Sequence, residues 1–145
     1  PGSSEFRYLG TVKYIRGPKR LPLTKPPYTR VSAVNLNSGR YKWMVPNGDG
    51  LRQQIIDQGV PDPGPVGGGS FTGPLLTRSL LFIGGHDGNP LLRAFDKETG
   101  EVVHETELPL DPFGTPMTYM VDGKQYISVA VGGAKDARLV TLALP

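Results

Sequence analysis

The strongest constraint on the fold is a strand–turn–strand unit that the chain repeats. Leu92-Arg93-Ala94-Phe95-Asp96-Lys97-Glu98-Thr99-Gly100-Glu101-Val102-Val103 sets Leu92, Ala94 and Val102 among polar neighbours, the period-2 signature of a half-buried strand. Lys97-Glu98-Thr99-Gly100 supplies the turn, with Gly100 free to take positive φ. The upstream stretch Ser32 to Trp43 sets Ala33 against Ala94, Val34 against Phe95, Asn35 against Asp96 and Gly39 against Gly100. A truncated third copy, Leu139-Val140-Thr141-Leu142-Ala143, closes the chain. A unit that recurs in this way points to a repeat architecture.

The rest of the chain fits an all-β reading. Strands are expected at Val31 to Leu36 and Arg40 to Val45, joined by Asn37-Ser38-Gly39. Gly73 to Thr77, Leu80 to Gly84, Leu91 to Asp96 and Glu101 to Leu108 follow as four sequential antiparallel strands. Pro116 to Val121, Gln125 to Val131 and Leu139 to Leu144 make a last unit of three. Its Asp122-Gly123 turn between alternating strands is a strong hairpin signal. Ile83-Gly84-Gly85 aligns with Val131-Gly132-Gly133 at an offset of 48, and Leu92 with Leu139 at 47. That period, with four strands per unit, matches β-propeller blades. Residues 1–30 read as an extension with short strands at 6–15 and a Pro-rich loop, and residues 31–145 as blades, the last lacking its fourth strand. The partner for that missing strand is expected upstream in the parent ring or in another copy of the chain, because closure removes an open edge. Residues 46–72 are expected to be irregular, with one helical turn at Leu51 to Asp57.

Composition excludes several classes of function. Gly 20 and Pro 15 together make roughly a quarter of the 145 residues, more breakers than a helical bundle could absorb. No cysteine is present, which removes disulfides, thiolate metal sites and cysteine nucleophiles. The net charge of +3 is mild, and the one basic cluster, Arg16-Gly17-Pro18-Lys19-Arg20, lacks the aromatic or zinc pattern of a nucleic-acid module. No apolar run reaches the ~18 residues of a membrane span. Pro1-Gly2-Ser3-Ser4-Glu5-Phe6 does not read as a natural N-terminus, whether it is a cloning scar or a native mid-protein loop, so a fragment is expected. Asn47-Gly48-Asp49-Gly50 has the flavour of a calcium loop without the later acidic ligand.

Three segments in order carry a family resemblance. Leu80-Leu81-Phe82-Ile83-Gly84-Gly85, then Leu92 to Gly100, then Thr115-Pro116-Met117-Thr118-Tyr119-Met120-Val121-Asp122-Gly123-Lys124-Gln125-Tyr126 resemble the C-terminal blades of the pyrroloquinoline-quinone (PQQ) dependent alcohol and glucose dehydrogenases. Lys25-Pro26-Pro27-Tyr28 and the terminal Leu142-Ala143-Leu144-Pro145 are similar to the membrane-type glucose dehydrogenase branch. The resemblance covers roughly residues 22–145 and implies part of an eight-bladed propeller, about two to three four-stranded blades of it. It also implies a periplasmic parent that oxidises a small alcohol or sugar with PQQ and Ca²⁺ in a central funnel.

The same resemblance implies where chemistry would sit. Phe71, with Thr72 after it, matches the position of an aromatic residue that approaches the cofactor. Gly133 and Ala134 match a loop near cofactor or substrate, although Ala134 offers neither a ring nor a proton acceptor. Asp87 or Asn89 stands where an acidic residue often reaches the substrate pocket, and reads more readily as part of a simple loop turn. Trp43 is expected to dock between blades, and His104, at its repeat position, to fill the same kind of slot or face solvent. The family's catalytic aspartate and calcium ligands have no counterpart in the sequence. The fragment alone is therefore expected to bind neither PQQ nor Ca²⁺ tightly and to be inactive. The alternative is a non-catalytic PQQ-like propeller serving as an interaction module.

Overall fold

The computed structural model describes residues 15–69, 71–86 and 90–143. The expected short strands at 6–15 lie almost wholly outside these residues, as do Asp87 and Asn89. The described chain is all-β apart from a 3₁₀ turn at Pro18–Arg20 and the short helix α1 (Arg52–Asp57). Strands β1 (Arg30–Asn35) and β2 (Arg40–Pro46) pair antiparallel as a two-stranded sheet. β4 (Leu75–Leu76), β5 (Leu80–His86), β6 (Pro90–Asp96) and β7 (Val102–Glu107) form a four-stranded sheet in chain order. This is the meander expected of a propeller blade.

The first two units share their turn hydrogen bonds. In the first copy Asn35 Oδ1 accepts from the amides of Asn37 (2.9 Å) and Ser38 (3.2 Å). In the second, Asp96 Oδ1 accepts from Glu98 (2.7 Å) and Thr99 (2.9 Å). Both copies also shift register at the same place, between Ala33 and Val34 in β1 and between Ala94 and Phe95 in β6. Asx turn chemistry and a shared bulge thus fix the geometry of each unit.

β6 departs from the half-buried pattern expected of it. Leu92, Arg93, Ala94 and Phe95 are all buried, because β6 is an interior strand with neighbours against both faces. On one face Leu92 joins Leu108, Val129 and Val131 in the main core, with Phe82, Leu110, Ile127, Val140 and Leu142 packed around them. Each fully buried aliphatic side chain there contributes about 1.5–3 kcal/mol. On the other face Arg93 meets Asn47 of the first unit. At β7, the outer edge, apolar character no longer means burial, and Val102 and Val103 are exposed.

The last sheet combines β8 (Pro112–Val121), β9 (Lys124–Val131) and β10 (Arg138–Ala143) with the short β3 (Phe71–Thr72), in the order β10-β9-β8-β3. β3 lies in the stretch expected to be irregular, and it pairs parallel with β8. It joins at the β8 edge, whereas the β10 edge has no strand partner among the described residues. β8 begins earlier than the expected Pro116, at Pro112, and accommodates Gly114 and Pro116 through an irregularity between Phe113 and Met117.

The long connection after β2 is tied back onto the chain that precedes β1. Tyr28 N donates to Val66 O (2.6 Å), Gly67 N to Gly48 O (2.7 Å) and Gly68 N to Asn47 O (2.7 Å). Arg52 of α1 forks onto Asp62 through Nε and Nη2 at 2.8 Å each, and reaches Asp49 at 3.3 Å. The hydrogen bond from Arg52, then the amide of Gly64, hold the Asp62 carboxyl down at about 2, and the same pairing raises the already high pKa of Arg52. The loop that leads into β3 is therefore built in, not loose.

Candidate functional site

The first residues of β8 are the meeting point of the segments singled out in the sequence. On one side, Phe71 pairs with Phe113 and Thr72 with Gly114, and Gly73 N continues the contact by donating to Gly114 O (3.1 Å). On the other side, Val131 pairs with Pro112, and Gly132 N donates to Asp111 O (2.8 Å). The structure thus carries Phe71–Thr72 and the loop containing Gly133 and Ala134 to opposite flanks of residues 111–114. Sequence distance gave no hint of this, because β3 reaches β8 only through a parallel pairing of two residues.

Gly84 of β5 is locked into the same junction. Thr72 Oγ1 accepts from Gly84 N at 2.8 Å and donates to Gly84 O at 3.3 Å. A methyl group on Gly84 would stand 2.6 Å from Pro112 Cγ and 2.7 Å from Thr72 Cγ2. Only glycine lets the three segments close to this distance.

Behind Gly84 lies a buried polar cluster that the sequence reading did not single out. Asn47 and Arg93 are each 3% exposed. Asn47 Nδ2 donates to Gly84 O (3.3 Å), while Asn47 Oδ1 accepts from Arg93 Nη1 (3.4 Å). Arg93 Nε donates to Glu105 Oε1 (2.5 Å), whose side chain is 47% exposed. The guanidinium lies over Gly85, where a methyl group would overlap it. The available signal was an arginine inside an otherwise apolar strand, since a charge placed there needs built-in partners.

The remaining candidates are placed less centrally. Gly133 and Ala134 are exposed, and Gly133 N donates to Asp136 Oδ1 (2.8 Å), which closes the loop on itself. Gly132, at φ +84°, packs against Asp136 O and Leu110 Cδ1. Trp43 docks on the next unit as expected, and its Nε1 donates to Lys97 O (2.9 Å). His104 is exposed. A cavity of about 480 Å³ beside the glycine run is walled by Pro22, Tyr28, Leu51 and Gly67 to Gly69, with little charge to direct a ligand.

Of the glycines gathered here, Gly84, Gly85 and Gly132 are closed in by this chain's own atoms, from Pro112 and Thr72, from Arg93, and from Asp136 and Leu110 respectively, whereas Gly133 is exposed. Among the described residues no group of three His, Asp or Glu side chains could hold an ion. Asp49, the acid of the calcium-like loop, instead pairs with Arg52. No helix of the described residues is long and apolar enough to cross a membrane.

Comparison with known proteins places the chain in a family. Residues 3–127 match the family described as "PQQ: Glucose/ethanol/alcohol dehydrogenase, beta-propeller domain". A quinate/shikimate dehydrogenase (quinone) of Acinetobacter baylyi is 31% identical over 121 residues, covering 81% of this chain and 15% of that protein. A quinoprotein glucose dehydrogenase of Gluconobacter oxydans is 32% identical over 117 residues, covering 79% of this chain and 14% of that one. The crystal structure of quinohemoprotein alcohol dehydrogenase from Comamonas testosteroni superposes with a TM-score of 0.50 at 29% identity, over 77% of this chain and 14% of that chain. The chain therefore spans about one seventh of the length of these relatives. Three antiparallel-rich sheets in blade order, together with these matches, make it part of a β-propeller. The chain belongs to the PQQ-dependent glucose/ethanol/alcohol dehydrogenase β-propeller family.

Proposed function

We propose that the chain forms the C-terminal blades of a periplasmic PQQ-dependent dehydrogenase that oxidises a small alcohol or sugar. The observation that carries this reading is the convergence at the start of β8, where Phe71–Thr72 and Gly132–Gly133 flank residues 111–114. In the complete ring this edge faces the funnel. By the family resemblance, Phe71, Thr72, Gly133 and Ala134 are the residues of this chain that approach the planar quinone. PQQ supplies the electron acceptor for the carbon-bound hydrogen of the substrate. By the same resemblance, Asp87 or Asn89 belongs to the substrate pocket. Ca²⁺ and the proton acceptor come from other blades, so this chain alone does not turn over and holds neither PQQ nor Ca²⁺ tightly. Its partners are the remaining blades.

A second reading, a non-catalytic PQQ-like propeller, draws support from Ala134, which offers neither ring nor proton acceptor in the loop after β9. Dye reduction separates the two. The complete protein, reconstituted with PQQ and Ca²⁺, is expected to reduce an artificial acceptor with at least one member of a panel of alcohols and sugars. A silent panel together with no PQQ binding would sink the enzyme reading. Silence of residues 1–145 alone is the expected result for a part of the ring.

A further inference from the structure

We infer that Arg93 is a positioning residue for the cofactor-edge strand, acting on Thr72 through Asn47 and Gly84. The inference rests on the proposed placement of PQQ beside Phe71 and Thr72.

The contacts form an unbroken line. Arg93 Nη1 donates to Asn47 Oδ1 (3.4 Å), Asn47 Nδ2 donates to Gly84 O (3.3 Å), and Thr72 Oγ1 bonds both polar atoms of Gly84. Asn47 has one oxygen and one amino group, so an arginine at its oxygen fixes which way the amide faces. With that orientation set, the amino group can only point toward Gly84. Asn47 is itself anchored to the first unit, where its N donates to Thr29 O (3.3 Å) and its carbonyl accepts from Gly68 N (2.7 Å). Gly84 is thus held from both neighbouring sheets, by Asn47 of the first unit and by Thr72 of the last sheet. The Glu105 contact orients the guanidinium from its outer side. A lysine could not make both contacts, because it lacks the planar fork.

A purely structural role for Arg93 would be to neutralise and pack its own strand. A positioning role singles out the Asn47 arm over the Glu105 arm. The two are separable with the complete protein, stripped of PQQ and titrated with PQQ in the presence of Ca²⁺, while its melting temperature is recorded without PQQ. Arg93→Lys and Asn47→Ala are each expected to weaken PQQ binding about tenfold, the effect of losing one hydrogen bond to a charged group. The double variant should be no weaker than the weaker single one, since both cut the same line. Glu105→Gln, which alters only the exposed arm, should bind PQQ within about twofold of wild type. Gly85→Ala gives an independent route to the same lesion, because its methyl group displaces the guanidinium.

Wild-type affinity in Arg93→Lys, Asn47→Ala and Gly85→Ala would overturn the inference while leaving the function reading intact. So would equal losses in Asn47→Ala and Glu105→Gln that track their melting temperatures. Failure of the wild-type protein to bind PQQ would overturn the function reading, and this inference with it.

Discussion

The indole of Trp43 rests on the backbone of Gly100, in the turn of the following unit. Trp43 Nε1 donates to Lys97 O at 2.9 Å, and a methyl group on Gly100 would lie 2.7 Å from ring atoms Cδ2 and Cε3. Lys42 pairs with Glu98 beside it. Successive units are thus joined at their turns as well as through their sheet faces.

Gly39 and Gly100 hold the same place in the repeat, so their alanine variants isolate that contact. Both have positive φ, +68° and +79°, but only Gly100 has a neighbour where a side chain would go. Gly39→Ala should cost about 1–2 kcal/mol, the conformational penalty alone. Gly100→Ala should cost about 1–3 kcal/mol more, from overlap with the indole. Urea unfolding followed by the fluorescence of Trp43, the one tryptophan of the chain, measures both. Equal costs would show that Trp43 does not bear on the turn.

Thr72→Val keeps shape and removes both hydrogen bonds to Gly84. The buried Gly84 amide loses its hydrogen bond to the Thr72 hydroxyl, at a cost of about 1–3 kcal/mol. Exchange of the Gly84 amide proton with solvent should then speed up more than that of β9 amides, as read by deuterium labelling. Unchanged exchange would mean that β3 is not held through this side chain.

The Arg52–Asp62 pair sets a pH dependence for the loop after α1. The folded Asp62 carboxyl lies near 2, below its ordinary value of 3.8, because Arg52 and then the Gly64 amide favour the charged form. A lowered carboxylate pKa gives a contribution that is full above 3.8 and lost as pH falls through about 2. Asp96, lowered by the amides of Thr99 and then Glu98, acts in the same sense. Proteolysis within residues 57–66 should therefore rise in acid, using a protease active at low pH. Asp62→Asn should raise it already at neutral pH and flatten the acid response. A pH-independent cleavage rate in the wild type would contradict the pairing.

One face of the last sheet has no partner among the described residues. Met117, Tyr119 and Val121 alternate along β8, and Leu139 lies on the same face of β10; all four are exposed. Tyr119 and Tyr126 stack there at 5.3 Å. Residues 1–145 prepared alone should associate with rising concentration, as light scattering after size exclusion would show. Tyr119→Lys with Leu139→Lys should shift the chain toward monomer, and a monomeric wild type at high concentration would remove the basis for a blade-docking face.

The sheets and their order were legible because turn chemistry and alternation are local. Asp96 and Asn35 could be read as paired turn residues before any contact was known. β3 was not legible, since two residues in a glycine-rich stretch carry no period, and their pairing with β8 is decided across the fold. The start of β8 was masked by Pro116 and Gly114, which read as breakers and are instead absorbed in an irregular segment. Arg93 looked like the polar partner in an alternating strand, whereas packing from both sides buries it. Alignment of the repeats matched Gly84-Gly85 with Gly132-Gly133, and the family resemblance singled out Gly133, but their convergence on residues 111–114 was not legible.

The most direct test is anaerobic. The complete protein is loaded with PQQ and Ca²⁺, excess cofactor is removed, and the absorbance of the bound quinone is followed on addition of an alcohol or sugar, with no other acceptor present. The expected result is a stoichiometric bleaching of the oxidised cofactor by at least one substrate. Bound PQQ whose spectrum no alcohol or sugar changes would contradict the enzyme reading and leave a cofactor-binding scaffold in its place.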